Sequence, residues 1–180
     1  MKKNGMTFRI MLMSSIIMSS CFLTHLDTVG DIGQVSGEST GPLIPQTTEQ
    51  SGNNTTLKAF TDSLRGLVSK SKELTANYQV ELGKWATKEN DNSTMISITD
   101  KYLPQFKELE KEGTNLAVPS EHKNIKESFI NSISSEAASY EHFKNYLITG
   151  NGTENDLSDD KFSLAFQYEQ VYELFLLKNR

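Results

Sequence analysis

The sequence predicts an all-α fold, an antiparallel up-down-up-down four-helix bundle behind a signal peptide and a flexible tether. Three observations lead there. Apolar residues recur at spacings of three and four through four long segments. Asn-, Gly- and Pro-marked breaks of a few residues separate those segments, which suits antiparallel neighbours. No run shows the two-residue alternation of a strand followed by a hairpin turn.

The chain divides into residues 1–20, 21–56 and 57–180. Met1 to Arg9 is mostly polar, and its charges, Lys2, Lys3 and Arg9, are all basic. Ile10 to Met18 is mostly apolar, interrupted by Ser14 and Ser15. A basic start followed by a short apolar stretch is the pattern of a secretory signal. The apolar run is well short of the roughly 20 residues a spanning helix needs. A conventional signal cut before Cys21 would want small residues one and three positions upstream. Ser20 fits the first, but bulky Met18 fills the other.

Met18-Ser19-Ser20-Cys21 therefore stands where export chemistry would act. It resembles the lipobox of bacterial lipoproteins, in which an aliphatic residue and two small ones precede a cysteine. That resemblance implies a diacylglyceryl group on the Cys21 sulfur and removal of residues 1–20. A thiolate is the strong nucleophile that thioether formation needs. Two acyl chains hold a protein to a membrane where one binds only marginally. The expected location is the cell membrane, lipid-anchored and facing outside the cytoplasm.

Residues 21–56 read as a lipidated N-terminus and disordered linker. From Leu26 to Thr56, Gly30, Gly33, Gly37, Gly41 and Gly52 mix with Ser, Thr, Asn, Pro42 and Pro45, and apolar residues have no period. Such a stretch buries too little surface to offset its ordering entropy. As a flexible chain it would span on the order of 30 Å.

The helical domain is expected over 57–180. Phe60, Leu64, Leu67, Ser71, Leu74, Tyr78 and Trp85 form one stripe, broken at Asn90-Asp91-Asn92. A second helix is expected from Ser93 to Glu112, with Ile98, Tyr102, Phe106 and Leu109 inward, Pro104 a kink or a new first turn, and Gly113 the C-cap. Pro119 or Ser120 starts a third, whose stripe is Phe129, Ile133, Glu136, Tyr140, Phe143 and Leu147, closed by Gly150-Asn151-Gly152. Ser158 is expected to cap the fourth, with Asp159 and Asp160 in its first turn. Its stripe is Phe162, Ala165, Glu169, Tyr172 and Leu176, with Phe166 and Phe175 beside it. This layout also resembles small helical lipoproteins of Gram-positive bacteria that carry no recognised catalytic motif. The segments Leu103-Pro104-Gln105-Phe106-Lys107-Glu108-Leu109 and Val118-Pro119-Ser120-Glu121 are part of that likeness, which implies no activity.

Charge narrows the function classes. The 180 residues carry a net charge of −5. Without Lys2, Lys3 and Arg9 the 18 basic residues become 15 against 23 acidic ones, near −8. Phosphate backbones repel such a chain, and Lys and Glu alternate rather than cluster, so no nucleic-acid partner is expected. With a single cysteine the domain has no internal disulfide and relies on an apolar core. Phosphate-loop, HExxH, CxxC, GxSxG and EF-hand patterns are absent from the sequence. Three residues after Glu136 and Glu169 stand Ser139 and Tyr172, so the Glu-x-x-His of di-metal bundles is missing. His25, His122 and His142 are scattered, and neither a metal nor another cofactor is expected.

One constellation remains. Glu136 and Glu169 take seam positions on the last two helices, each near a seam tyrosine, Tyr140 and Tyr172. Antiparallel packing would bring them to similar depth, where they could bind a cationic or polar ligand or act as acid and base. The preferred reading is plainer: the glutamates reach water at the stripe's edge or bond to tyrosine hydroxyls. The expected function is a membrane-tethered, extracytoplasmic, non-catalytic binding or interaction module with an envelope protein as partner. The alternative is a small-ligand sensor or carrier with a pocket between helices.

Overall fold

The computed structural model describes residues 49–180, with side chains from residue 56 onward. The signal, Cys21, His25 and most of the expected linker lie outside the described residues. Four helices form one unit: α1 (Glu49–Ala86), α2 (Asn92–Thr114), α3 (Lys123–Thr149) and α4 (Gly152–Lys178). A single 3-10 turn, Ser120–His122, precedes α3. Among the described residues there is no strand, and no helix is long and apolar enough to cross a membrane. The chain is an all-α helical bundle.

α1 starts at Glu49, inside the stretch expected to be linker. Once the strong stripe from Phe60 onward has nucleated the helix, each added residue costs little, so even Gly52 and Asn53 are carried along. Its far end closes on a paired cap. Glu89 N–H donates to Lys84 O at 2.9 Å and Lys88 N–H to Trp85 O at 3.0 Å. Lys88 takes the left-handed conformation, φ 65°, that such a cap needs and that glycine usually supplies.

α2 begins on Asp91, whose Oδ1 accepts from Thr94 N–H at 2.8 Å. Its inner face is Met95, Thr99, Leu103, Phe106, Leu109 and Gly113. The expected Ile98 and Tyr102 lie one position round the helix, half-buried at the edge of the core. Pro104 sits on the exposed side and α2 runs through it. Gly113 is not the cap: Asn115 is, and Gly113 is buried in the last turn. A Cβ there would meet ring carbons of Phe129 at 2.9 Å, so glycine is what lets α2 and α3 approach at this point.

The chain then turns through residues 115–119, held by Lys126, which donates to Thr114 O at 2.6 Å and Leu116 O at 2.9 Å. Pro119 caps the 3-10 turn, and α3 follows from Lys123. All six stripe residues expected for α3 are buried. The buried face is broader than a single stripe because α3 packs on α2, α4 and α1: it also takes in Ser132, Ala137 and Ser139.

Gly150, at φ 68°, ends α3. Asn151 caps α4, accepting from Thr153 N–H at 3.1 Å. Ser158 is therefore not a cap. It lies within α4, buried, and its carbonyl accepts from Ser139 Oγ at 2.8 Å. Asn151 offers the N-terminal amides a partner about two turns earlier, so the helix has already begun when Ser158 is reached. Ser132 Oγ likewise donates to Ala165 O at 2.9 Å. These short hydroxyls reaching a neighbouring backbone mark the α3–α4 seam as close-packed.

Contacts between sequence neighbours pair rising with falling numbers. Lys70 meets Glu112, Tyr78 meets Thr99 and Trp85 meets Asn92 between α1 and α2. Phe129 meets Tyr172, Ser139 meets Ser158 and His142 meets Glu154 between α3 and α4. The core is rich in rings: Tyr140 lies 4.0 Å from Tyr78 and 5.2 Å from Phe106 between ring centroids.

Candidate functional site

The constellation singled out in the sequence divides in two. Glu136 and Tyr140, one turn apart on α3, are both buried, 7% and 3% exposed. Glu136 Oε1 accepts from Tyr140 Oη at 2.6 Å and from Thr75 Oγ1 of α1 at 2.7 Å. Burial pushes the Glu136 carboxyl up to about 7; the Tyr140 and Thr75 bonds work against that, and the charge of Glu169 adds to it. Burial, then the Glu136 charge beside it, push the Tyr140 phenol well above its ordinary value, so it stays protonated and donates.

Glu169 and Tyr172 are placed differently. Glu169 is half-buried on α4; burial raises its carboxyl and the Lys72 charge opposes that. Tyr172 is buried against Phe129, ring centroids 5.5 Å apart, and burial again raises its phenol. The four side chains thus share a region of the α1–α3–α4 packing, but Glu136 and Tyr140 hold each other and Thr75.

A second polar pair lies alongside. Thr99 Oγ1 donates its one proton to Met95 O at 2.8 Å, so in the 2.8 Å contact with Tyr78 it is the tyrosine that donates. Thr75, Tyr78 and Thr99 were not singled out for polar roles in the sequence. A threonine at position 99, one helical turn from Met95, does carry the back-bonding signal in hindsight.

The remaining candidates take structural places. His142 Nδ1 is 2.8 Å from Glu154 Oε2, joining the end of α3 to the first turn of α4. His122 packs on Phe175 of α4 and Phe60 of α1. Trp85 lies edge-on to Phe143 at 5.1 Å and its Nε1 donates to Asn92 Oδ1 at 2.9 Å, placing it at the rim of the core. Among the described residues no three His, Cys, Asp or Glu converge as metal ligands would.

Two surface features went unrecognised in the sequence. One is an open cleft of about 270 Å³ between α1 and α4, lined by Arg65, Val68, Lys72, Glu173, Leu176 and Leu177 among others. Three of its charges are engaged: Lys72 pairs with Glu173 at 2.7 Å, and Arg65 donates to Leu176 O at 3.2 Å and Asn179 O at 2.6 Å. The other is the outer face of α4, where Phe166, Val171, Leu174 and Leu177 are 51%, 40%, 58% and 50% exposed. The signal for it was available, since Phe162 to Leu177 contains only Glu169 and Glu173 as charged residues. That composition leaves α4 apolar on both sides, where a surface helix has one polar face.

The chain matches no family model, no curated protein and no solved structure.

Proposed function

We propose that the protein is an extracytoplasmic lipoprotein, anchored at Cys21, whose helical bundle is a non-catalytic interaction module. The anchor rests on the signal-like start and on Met18-Ser19-Ser20-Cys21. The observation that carries the module is the exposed apolar stretch from Phe166 to Leu177 on the outer face of α4. Four large apolar side chains held in water by a rigid helix are a standing cost unless another surface covers them. The recognised partner is a protein surface in the envelope.

The ligand-pocket reading at Glu136, Tyr140, Glu169 and Tyr172 is the weaker one. The Glu136 carboxyl and the Tyr140 hydroxyl satisfy each other and are almost out of solvent, so a ligand would have to displace an intact hydrogen-bonded set.

Two measurements test the proposal. Intact-mass analysis of membrane-extracted protein is expected to show a mass beginning at residue 21 plus a diacylglyceryl group, lost in Cys21→Ala. Release of the wild-type chain in soluble form would overturn the anchor. A photoreactive side chain placed at position 174 in intact cells is expected to give protein adducts that the same group at position 105, on the outer side of α2, does not. Equal yields at the two positions would overturn the module.

A further inference from the structure

The exposed positions of α4 form one continuous face from Asp156 to Lys178, following the spacings of three and four of a single helix side. The face has three zones. Asp156, Asp159 and Asp160 stand exposed at its N-terminal end. Phe166, Val171, Leu174 and Leu177 fill the middle and the C-terminal half. Ser163, Gln167 and Gln170 lie between them, exposed and uncharged. Lys178 closes the far end on the same side.

We propose that this face pairs with the same face of a second copy of the chain, the two α4 helices running antiparallel about a two-fold axis beside Gln167 and Gln170. The inference rests on reading α4 as an interaction face, and names its partner. Charge selects both the copy and the direction. In the antiparallel arrangement Asp160 of each chain comes opposite Lys178 of the other, and each pair occurs twice, as a two-fold interface requires. A parallel pair would set three aspartates against three aspartates. Burial, together with Asp156 and Asp160, already pushes the Asp159 carboxyl up. A lysine arriving from a second copy relieves that crowding.

The uncharged middle is complementary to itself in the same register. With position 160 opposite 178, Phe166 falls against the Val171–Leu174 side of the other helix. Leu174 falls near Ser163, the smallest side chain of the face, so a large residue meets a small one. The glutamine amides near the axis carry both donors and acceptors, and so can pair with their own copies.

A lipid surface fits less well. Helices that lie on membranes flank the apolar side with Lys and Arg along its length, whereas this face carries three aspartates at one end and its exposed cations, Lys178 and the following Arg180, only at the other. One helix pair buries less than about 1,200 Å², the size class of transient association, so the dimer is expected to depend on local concentration.

Disulfide trapping in the full-length chain tests the pairing. The only native cysteine is Cys21, so the unsubstituted chain reports the background. Under mild oxidation in intact cells, Gln170→Cys is expected to give a covalent dimer at least fivefold above that background, and Gln105→Cys on α2 is not. Adding Leu174→Lys, whose parent side chain points into solvent, should reduce the dimer at least fivefold while circular dichroism and melting temperature stay unchanged. Asp160→Lys should also reduce it, and the swap Asp160→Lys with Lys178→Asp should restore it, a rescue that general stickiness does not give. Equal trapping at positions 170 and 105, or no loss on Leu174→Lys, overturns the proposal. If trapping fails while photo-crosslinks at position 174 persist to another protein or to lipid, the second copy is ruled out and α4 remains an interaction face. If both fail, the module reading falls with it.

Discussion

α3 and α4 depart from the usual inside–outside pattern in opposite directions. α3 is packed by the other three helices and places a carboxylate, Glu136, in the middle of its buried face. α4 lies against α3 on one side and against α1 at its C-terminal end, and carries Phe166, Val171, Leu174 and Leu177 outward. The buried polar group has its partners within the fold, Tyr140 and Thr75, and needs nothing from outside. The exposed apolar groups are left about half uncovered by the described residues of their own chain. A polar exception that is internally satisfied belongs to the fold. An apolar exception that is left open points outward, to something the fold does not contain.

The comparison can be pressed on α3 first, where the largest effect is expected. The Glu136 carboxyl ionises at about 7 in the folded chain, against an ordinary value of 4.5. Between those pH values the folded state holds a proton that the unfolded state has released, so stability falls as pH rises through this window and is level above it. The expected loss is about 3 kcal/mol, at about 1.4 kcal/mol per pH unit. Glu136→Gln keeps the acceptor oxygen and removes the titration. Urea unfolding from pH 4.5 to 8 should show the variant matching wild type at the acid end and exceeding it by up to about 3 kcal/mol at pH 8. The raised Glu169 carboxyl leaves a smaller slope of the same sign in both proteins. Parallel curves would mean that Glu136 is not held in the way its surroundings imply.

The next effect is steric. Gly113→Ala adds a methyl group against the Phe129 ring, which has no exposed surface to retreat into. Alanine is the better helix former by about 1 kcal/mol, so the net expectation is destabilisation by about 1–2 kcal/mol. Gly66→Ala is the matching control. Gly66 is exposed in α1 with open space around its Cβ position, and the same exchange there should stabilise by about 1 kcal/mol. Thermal melts of the pair separate packing from propensity.

Ser139→Ala comes next. It removes the hydroxyl that bonds Ser158 O, with an expected loss of about 1 kcal/mol. The smallest effect belongs to the other half of the comparison. Leu174→Ala on the outer face of α4 should change the stability of the separated chain by less than about 0.5 kcal/mol. A large loss in dilute solution would show that Leu174 has a covering surface within its own chain, and would erase the contrast between the two helices.

The helices were legible in the sequence because each has a strong stripe, and α3 reads best of all: every residue of its expected stripe is buried. The errors fall where two signals competed. Ser158-Asp159-Asp160 resembles a cap, but Asn151 after a glycine had already supplied one. Gly113 resembles a helix terminator, and its real use, contact with Phe129, depends on a residue 16 positions away that no local pattern announces. On α2, Ile98 and Tyr102 outweighed Met95 and Thr99 because a buried threonine looks polar until its partners, Tyr78 and Met95 O, are known. The candidate site was legible as a set of seam positions. Thr75, which completes the Glu136 environment, comes from a helix 61 residues distant in the chain.

Arg65 carries a consequence for the order of folding. Its guanidinium reaches Leu176 O and Asn179 O, 111 and 114 residues along the chain. Lys72 with Glu173 and Phe60 with Phe175 join the same two helices, while the remaining helix contacts join neighbours in sequence or, between α1 and α3, close a shorter loop. Bringing α1 to the end of α4, through the Arg65 bonds and through Phe60 against Phe175, closes the largest loops in the bundle, so their entropy is lost only when the intervening helices have already assembled. These bonds are accordingly expected to form after the rate-limiting step. Arg65→Ala should leave the refolding rate within about twofold and accelerate unfolding, a signature readable from the two arms of a denaturant chevron. Of the four described helices, the first in the chain would then be the last to be fastened, and the C-terminal turn of α4 the first part of the bundle to open.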